Sequence, residues 1–98
     1  MIEIYNLKLS AQRALLGDVF NNLRAVAVDF KGNVIYLYFF CDNNPSDEEK
    51  DLCEDVFDEV IADFVHLDKI DFHIEVIAVP YPQKMTLNGY WVYYRHEK

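Results

Sequence analysis

The segment "SDEEKDLCEDVFDEVIADF", residues 46–64, constrains the fold more than any other part of this chain. Ser46 followed three places later by Glu49 is the pattern of a capping box, and Pro45 precedes it. Three acids follow the cap directly, at the helix end where the backbone dipole favours negative charge. The segment therefore predicts a long α-helix that begins immediately after Ser46.

Apolar and acidic side chains separate onto opposite sides of this predicted helix. The apolar stripe contains Cys53, Val56, Phe57, Val60, Ile61 and Phe64. The acidic stripe contains Asp47, Asp51, Glu54, Asp55, Asp58 and Glu59. An apolar stripe has to be buried against another layer of structure. We therefore expect the helix to dock on a sheet and to turn its acids toward water or a partner.

Four runs rich in β-branched and aromatic residues predict strands. They are residues 24–30, 33–40, 69–79 and 89–95. The first two are joined at "KGN", a short hairpin turn that contains glycine. Pro80 and Pro82 break the chain after the third run, because proline cannot donate a ladder hydrogen bond. An Asn88-Gly89 turn is expected to lead into the fourth.

A first helix is predicted over residues 10–23, where leucine, valine and phenylalanine recur at helical spacing. Ser10 is its expected N-cap, and Gly17 is expected to weaken it or end it early. The order is then helix, two strands, helix, two strands. This order predicts an α+β fold: residues 1–98 form one domain with a mainly antiparallel four-stranded sheet and helices on one face.

The charge of the chain is concentrated in the acidic segment. The 98 residues include 17 acids and 9 bases, for a net charge of −8. Removing the nine acids and the single lysine of residues 46–64 leaves eight of each. A charge distribution of this kind bears on partners and not on fold. The acidic balance argues against nucleic acid as a partner, because phosphate contacts need lysine and arginine.

We expect a cytoplasmic protein with reduced cysteines. The first ten residues carry an acid where a secretory signal would be basic. The longest apolar run, residues 34–41, is far shorter than the roughly 20 residues of a membrane helix. In that compartment Cys41 and Cys53 are expected to remain thiols.

The sequence predicts no catalytic residues, no metal site and no cofactor. Cys41, Cys53, His66 and His73 lack the close pairing of a zinc site. Residues 42–53 begin like a calcium loop but lack its glycine and its final glutamate. Cys53 lies on the apolar stripe, which favours an unreactive core thiol. An enzyme that uses Cys41 or His66 is the least favoured of three hypotheses.

Two sets of residues are the candidates for partner binding. Acids four residues apart on the helix repel one another, which costs helix stability. The acidic stripe is therefore either a solvated face or a negatively charged surface that binds a partner. Its proposed binding residues are Asp51, Glu54, Asp55, Asp58 and Glu59. The strands are apolar on both sides, and the face left uncovered by helices would expose aromatic anchors. The candidate anchors are Tyr36, Tyr38, Trp91, Tyr93, Tyr94 and Arg95. The alternative is that the first helix or the loop 80–88 covers that face.

The chain resembles a group of small bacterial immunity proteins. The resemblance spans roughly residues 13–95 and is carried by "ALLGDVFNNLRAVAVDF", "IYLYFFCD", "PSDEEKDLCEDVFDEVIADF", a late "YP" and "YWVYYR". These proteins are partners of contact-dependent growth-inhibition and related polymorphic toxins. The resemblance implies a cytosolic protein that binds the toxic C-terminal domain of an effector and blocks it. Such domains are often nucleases, and a nuclease needs a basic surface.

A small acidic export chaperone is the second hypothesis. It would share the size, the acidity and the order of elements, but it would wrap an extended apolar segment and usually dimerise. An inhibitor would instead cover a folded basic domain, and we expect such an inhibitor to be a monomer.

Overall fold

The computed structural model describes residues 2–87 and 89–97. The elements are α1 (Ile4–Ala14), β1 (Leu23–Lys31), β2 (Val34–Cys41), α2 (Asp47–Phe64), β3 (Asp71–Ala78) and β4 (Tyr90–Tyr94). This is the predicted order of helix, two strands, helix and two strands. Asn88, half of the predicted Asn88-Gly89 turn, lies outside the described residues.

The four strands form one mixed sheet in the order β3-β2-β1-β4. β1 pairs antiparallel with β2 and with β4, whereas β2 pairs parallel with β3. The parallel pair follows from the connection, because α2 carries the chain back across the sheet between β2 and β3. The sheet is thus mainly antiparallel, as predicted, with one parallel pair at its edge.

The hairpin between β1 and β2 forms at the predicted "KGN". β1 ends at Lys31 and β2 begins at Val34, which leaves Gly32 and Asn33 as the loop. Gly32 has φ of 59°, in the left-handed region that glycine enters without steric cost. From this turn β1 and β2 pair residue by residue, beginning with Lys31 opposite Val34.

The capping box of α2 is present with both of its hydrogen bonds. The Glu49 amide donates to the Ser46 hydroxyl at 3.1 Å, and the Ser46 amide donates to the Glu49 carboxylate at 2.9 Å. The helix then runs to Phe64 and buries Cys53, Val56 and other members of the predicted apolar stripe. The acids of the first turn lie beside the unpaired amides, where the dipole favours them.

The predicted bounds of the first helix were wrong. α1 spans Ile4–Ala14 with Glu3 at the N-cap position, so Ser10 lies inside the helix and caps nothing. Ser10 is buried and donates a hydrogen bond to Asp63 of α2 at 2.6 Å. Gly17 has φ of 86° and follows the end of the helix. The upstream apolar residues at helical spacing, which dock on the sheet, decided where the helix forms.

The main core lies between the two helices and one face of the sheet. Its strand side chains alternate along β2, where Ile35, Leu37 and Phe39 are buried. Both helices contribute, with Leu7 of α1 and Val60 of α2 fully buried. The helices therefore cover one face of the sheet, as predicted. A smaller cluster on the other face joins Ala25, Phe40 and Met85.

A buried arginine ties the last described residues to the sheet. The Arg24 side chain is 3% exposed, and its guanidinium donates two hydrogen bonds to Glu97, at 2.7 and 2.9 Å. It also donates to the carbonyls of Val79 and Gln83 at 2.6 and 2.9 Å. A buried charge is tolerated only when it is paired and hydrogen-bonded, and Arg24 meets both conditions.

Replacing Ser46 with alanine should lower the free energy of unfolding by about 1 kcal/mol, because the Glu49 amide loses its acceptor. Urea denaturation followed by circular dichroism measures this change. Ser46→Thr keeps the hydroxyl and serves as the matched control. Equal stability of Ser46→Ala and Ser46→Thr would show that the cap contributes nothing.

Acid should destabilise the protein through Glu97. The hydrogen bonds from Arg24 hold the pKa of the Glu97 carboxyl below its ordinary value of 4.5. A depressed pKa contributes stability that is complete above the unfolded-state pKa and is lost as pH falls through the folded-state value. The urea midpoint should therefore fall below about pH 4.5.

Glu97→Gln tests the assignment of that acid sensitivity. The variant should be less stable at neutral pH, because Arg24 loses its charged partner, and it should lose less stability than the wild type on acidification. Asp68→Asn, at an exposed position, is the control and should follow the wild-type curve. Parallel pH curves for wild type and Glu97→Gln would reject the role of this carboxyl.

Candidate functional site

The acidic face of α2 is the first candidate surface. We define it as Asp51, Glu54, Asp55, Asp58 and Glu59, and all five residues are exposed. They lie opposite the buried Val56 and Val60, so they point away from the sheet. This direction is set by the docking of the apolar stripe, since both stripes belong to one rigid helix.

Few positive charges lie near the acidic face. Lys50 is the single base of the helix and is exposed. Arg13 of α1 approaches Asp63 at 3.4 Å, between exposed side chains, an arrangement that contributes little to stability. Asp51 and Asp55 lie four residues apart, as do Glu54 and Asp58, so the face keeps its internal repulsion. The result is an uncompensated negative field on one side of the protein.

The open sheet face is the second candidate surface. We define it as the sheet side without helices, carrying Tyr36, Tyr38, His73, Trp91 and Tyr94. The rings of Tyr36 and Tyr38 stack with centroids 6.0 Å apart, and His73 meets Tyr36 edge-on at 5.6 Å. Burial raises the pKa of the Tyr38 hydroxyl, and the nearby Glu75 carboxylate adds to the effect. Tyr36, Tyr38 and Trp91 are half-buried even without a partner, whereas His73 and Tyr94 are exposed.

Part of this face is covered by the segment after β3. Met85 is buried against Ala25 and Phe40. Trp91 packs on Phe40 with ring centroids 5.6 Å apart, and Tyr94 meets Trp91 edge-on at 5.4 Å. The loop 80–88 is one of the two covers considered from the sequence, and its described residues close one end of the face through Met85 and Leu87. Tyr38 packs against this cluster, whereas Tyr36 lies outside it.

Two of the six candidate anchors are already engaged within the protein. Tyr93 packs against the main core, on the helix side of the sheet. Arg95 donates to Glu97 at 3.0 Å and to Asp42 at 3.3 Å, and its second terminal nitrogen donates to the carbonyl of Asn21. The structure thus gives these two residues roles in the fold.

The acidic face and the open sheet face lie on opposite sides of the molecule. α2 packs on the sheet side that carries Leu37 and Phe39, and its acids point outward from there. Tyr36 and Tyr38 alternate with those core residues and point the other way. One flat surface of a partner therefore cannot contact both candidate surfaces.

Exposed apolar side chains on α1 were missed by the sequence analysis. Tyr5 and Leu9 are 69% and 39% exposed and lie four apart on the helix. They were missed because the first helix was predicted to begin at Ser10. The signal that would have found them is the spacing of Ile4, Leu7 and Ala11, which places Tyr5 and Leu9 on the opposite side.

A family model described as the MafI2 immunity protein matches residues 5–97. The match covers nearly the whole chain. The chain belongs to the MafI2 immunity protein family. This confirms the resemblance to small bacterial immunity proteins of polymorphic toxins. No curated protein matches the chain.

Membership of the MafI2 family assigns a role in immunity against a toxin. Immunity proteins typically act by binding a cognate toxin protein and not by catalysis. A protein partner is bound through an exposed surface. The acidic face, the open sheet face and the exposed side of α1 are therefore the surfaces to compare.

Cys41 and His66, the groups considered for catalysis, lie far apart. In residues 2–87 and 89–97, no three His, Cys, Asp or Glu side chains are grouped to hold a metal ion. Cys41 is buried near the first turn of α2, and His66 is exposed beyond its last turn. A helix of 18 residues, about 27 Å long, lies between them. Among the described helices, none has both the length and the apolar character to cross a membrane.

Both thiols should resist modification in the folded protein. Burial raises the pKa of Cys41 to about 11 and that of Cys53 to about 12, so almost no thiolate exists at neutral pH. A chromogenic disulfide reagent should react slowly with native protein and rapidly with both thiols in guanidinium. The unfolded protein is the internal control. Rapid reaction of one thiol in the native state would show an accessible, activated cysteine and revive the enzyme hypothesis.

Proposed function

We propose that this protein binds the C-terminal toxin domain of a cognate bacterial effector and neutralises it through the acidic face of α2. The main supporting observation is that the net charge of −8 belongs to one helix, α2, and that the five acids of its acidic face are exposed. The family assignment supplies the class of partner. The proposed toxin domain is a nuclease delivered by a system of the contact-dependent growth-inhibition type.

Charge complementarity supports a nuclease as the partner. An enzyme that cleaves nucleic acid holds phosphate groups with lysine and arginine. A stripe of carboxylates at helical spacing presents negative charge, as the phosphate groups of a nucleic acid do, and can occupy such a surface. Complementary fields also raise the association rate, especially at low salt. Binding of this kind would take place in the cytoplasm, where the toxin reaches its substrate.

The open sheet face is the alternative site for the toxin. It carries four of the six anchors named from the sequence, Tyr36, Tyr38, Trp91 and Tyr94. It lacks the field of the acidic face, and its tyrosines already pack on one another. We therefore place the toxin on the helix side and propose a monomer as the binding form.

Changing Asp51, Asp55 and Glu59 together to lysine should weaken toxin binding at least about 100-fold at low salt. Three reversed charges remove the attraction and add repulsion toward a basic surface. The measurement is a titration against the inactivated C-terminal domain of the effector encoded beside this gene, at low and high salt. Wild-type binding should weaken as salt rises, and the variant should lose most of that dependence.

Asp18, Asp68 and Asp71, changed together to lysine, form the matched control. Each acid-to-lysine change adds two charges, so both triple variants raise the net charge from −8 to −2. The control set lies off α2 and should bind within a few-fold of wild type. Equal weakening by both triple variants would mean that the overall net charge, and not the acidic face, controls toxin binding. Tight binding by both sets would move the site to the open sheet face, which Tyr36→Ala with Tyr38→Ala would test.

A further inference from the structure

The acidic face needs an apolar companion to bind a protein tightly. Exposed charges mainly raise the association rate, and most of the binding free energy in interfaces comes from a few desolvated aromatic or arginine anchors. The aromatic residues proposed as anchors from the sequence lie on the opposite side of the sheet, except Tyr93, which is packed against the main core. Any anchor that acts together with the acids has to come from the helix side of the molecule.

The outer side of α1 carries such residues. Leu7 and Ala11 are fully buried against the sheet, whereas Tyr5 is 69% exposed and Leu9 is 39% exposed. The two exposed side chains are four residues apart and lie side by side on the surface of the helix. Leu16, 80% exposed just beyond the helix end, adds a third apolar side chain. A row of exposed apolar side chains on one helix is a feature of interaction sites.

The row on α1 lies on the same side of the sheet as the acidic face and continues beyond the Glu59 end of that face. Ser10 of α1 contacts Asp63 of α2, and Ile2, which precedes α1, lines a common hollow with Leu67, which follows α2. Residue numbers thus rise along one helix as they fall along the other, so the helices are antiparallel neighbours on one face of the sheet. The outward sides of both helices therefore form one surface. Tyr5 and Leu9 lie at one end of it and the acidic face lies at the other, with the exposed Arg13 between them.

We propose that Tyr5 and Leu9 form the apolar half of the toxin interface, on the same side of the molecule as the acidic face. The inference rests on the proposed function and names the part of the toxin that fits: an apolar patch bordered by lysine and arginine. Charge complementarity selects this occupant. A second copy of the chain that docked face to face here would bring two uncompensated acidic faces together, which Coulomb repulsion opposes.

Tyr5→Ala and Tyr94→Ala form a matched pair that tests the inference. Both residues are exposed tyrosines, at 69% and 53%, but they lie on opposite sides of the molecule. Tyr5→Ala should weaken binding to the inactivated toxin domain about tenfold or more at every salt concentration, because an apolar anchor is not screened. Tyr94→Ala should stay within about twofold of wild type, as expected for a residue outside the interface. Thermal melts should confirm that both variants remain folded.

Leu9→Gln provides a second variant that retains good helix propensity. It should also weaken binding and leave the salt dependence unchanged. Wild-type affinity in both α1 variants, with binding still abolished by the three lysines on α2, would overturn the inference and leave the proposed function intact. Loss of binding in Tyr94→Ala but not in Tyr5→Ala would overturn it in favour of the open sheet face. Failure of the wild-type protein to bind the domain would overturn both.

Discussion

Burial of the apolar stripe of α2 against the sheet is the contact on which the rest of the structure depends. Val56 and Val60 are fully buried there, and each such side chain contributes about 1.5–3 kcal/mol relative to exposure. The like-charged pairs on the other side of the helix cost a few tenths of a kcal/mol each. Burial therefore outweighs the repulsion, and the protein can hold a line of acids outward on a stable helix.

The same contact organises the sheet and separates the candidate surfaces. Because α2 crosses back over the sheet, β3 joins β2 in parallel and the helices stay on one side. The other side is closed at one end by Met85, and there the buried Arg24 binds Glu97 and two carbonyls of the segment after β3. The protein thus has an acidic helical side and an aromatic sheet side.

Local signals in the sequence predicted α2 well and α1 badly. The capping box and the apolar stripe of α2 are short-range patterns, so the start of the helix and its buried side follow from them. Residues 10–23 also show helical spacing, but Gly17 ends the helix early and the docking of Leu7 moves it upstream. The sequence analysis therefore did not place Tyr5 and Leu9 on the exposed side of a helix. The sequence also gave no indication that Arg24 would be buried in an ion pair, because its partner Glu97 lies 73 residues away.

The sequence by itself determined the order of elements, the cap and buried side of α2, the hairpin at Gly32 and the concentration of charge on one helix. Each of these depends on residues within a few positions of one another. Only the tertiary structure decided that Tyr36 and Tyr38 face away from the acids, that Tyr93 and Arg95 serve the fold, and that α1 lies beside α2. These depend on which side of the sheet the helices cover. Side chains alternate between the two faces of a strand, and in these strands both sets are apolar. The strand pattern therefore does not show which face the helices cover, because this depends on packing between residues far apart in the sequence.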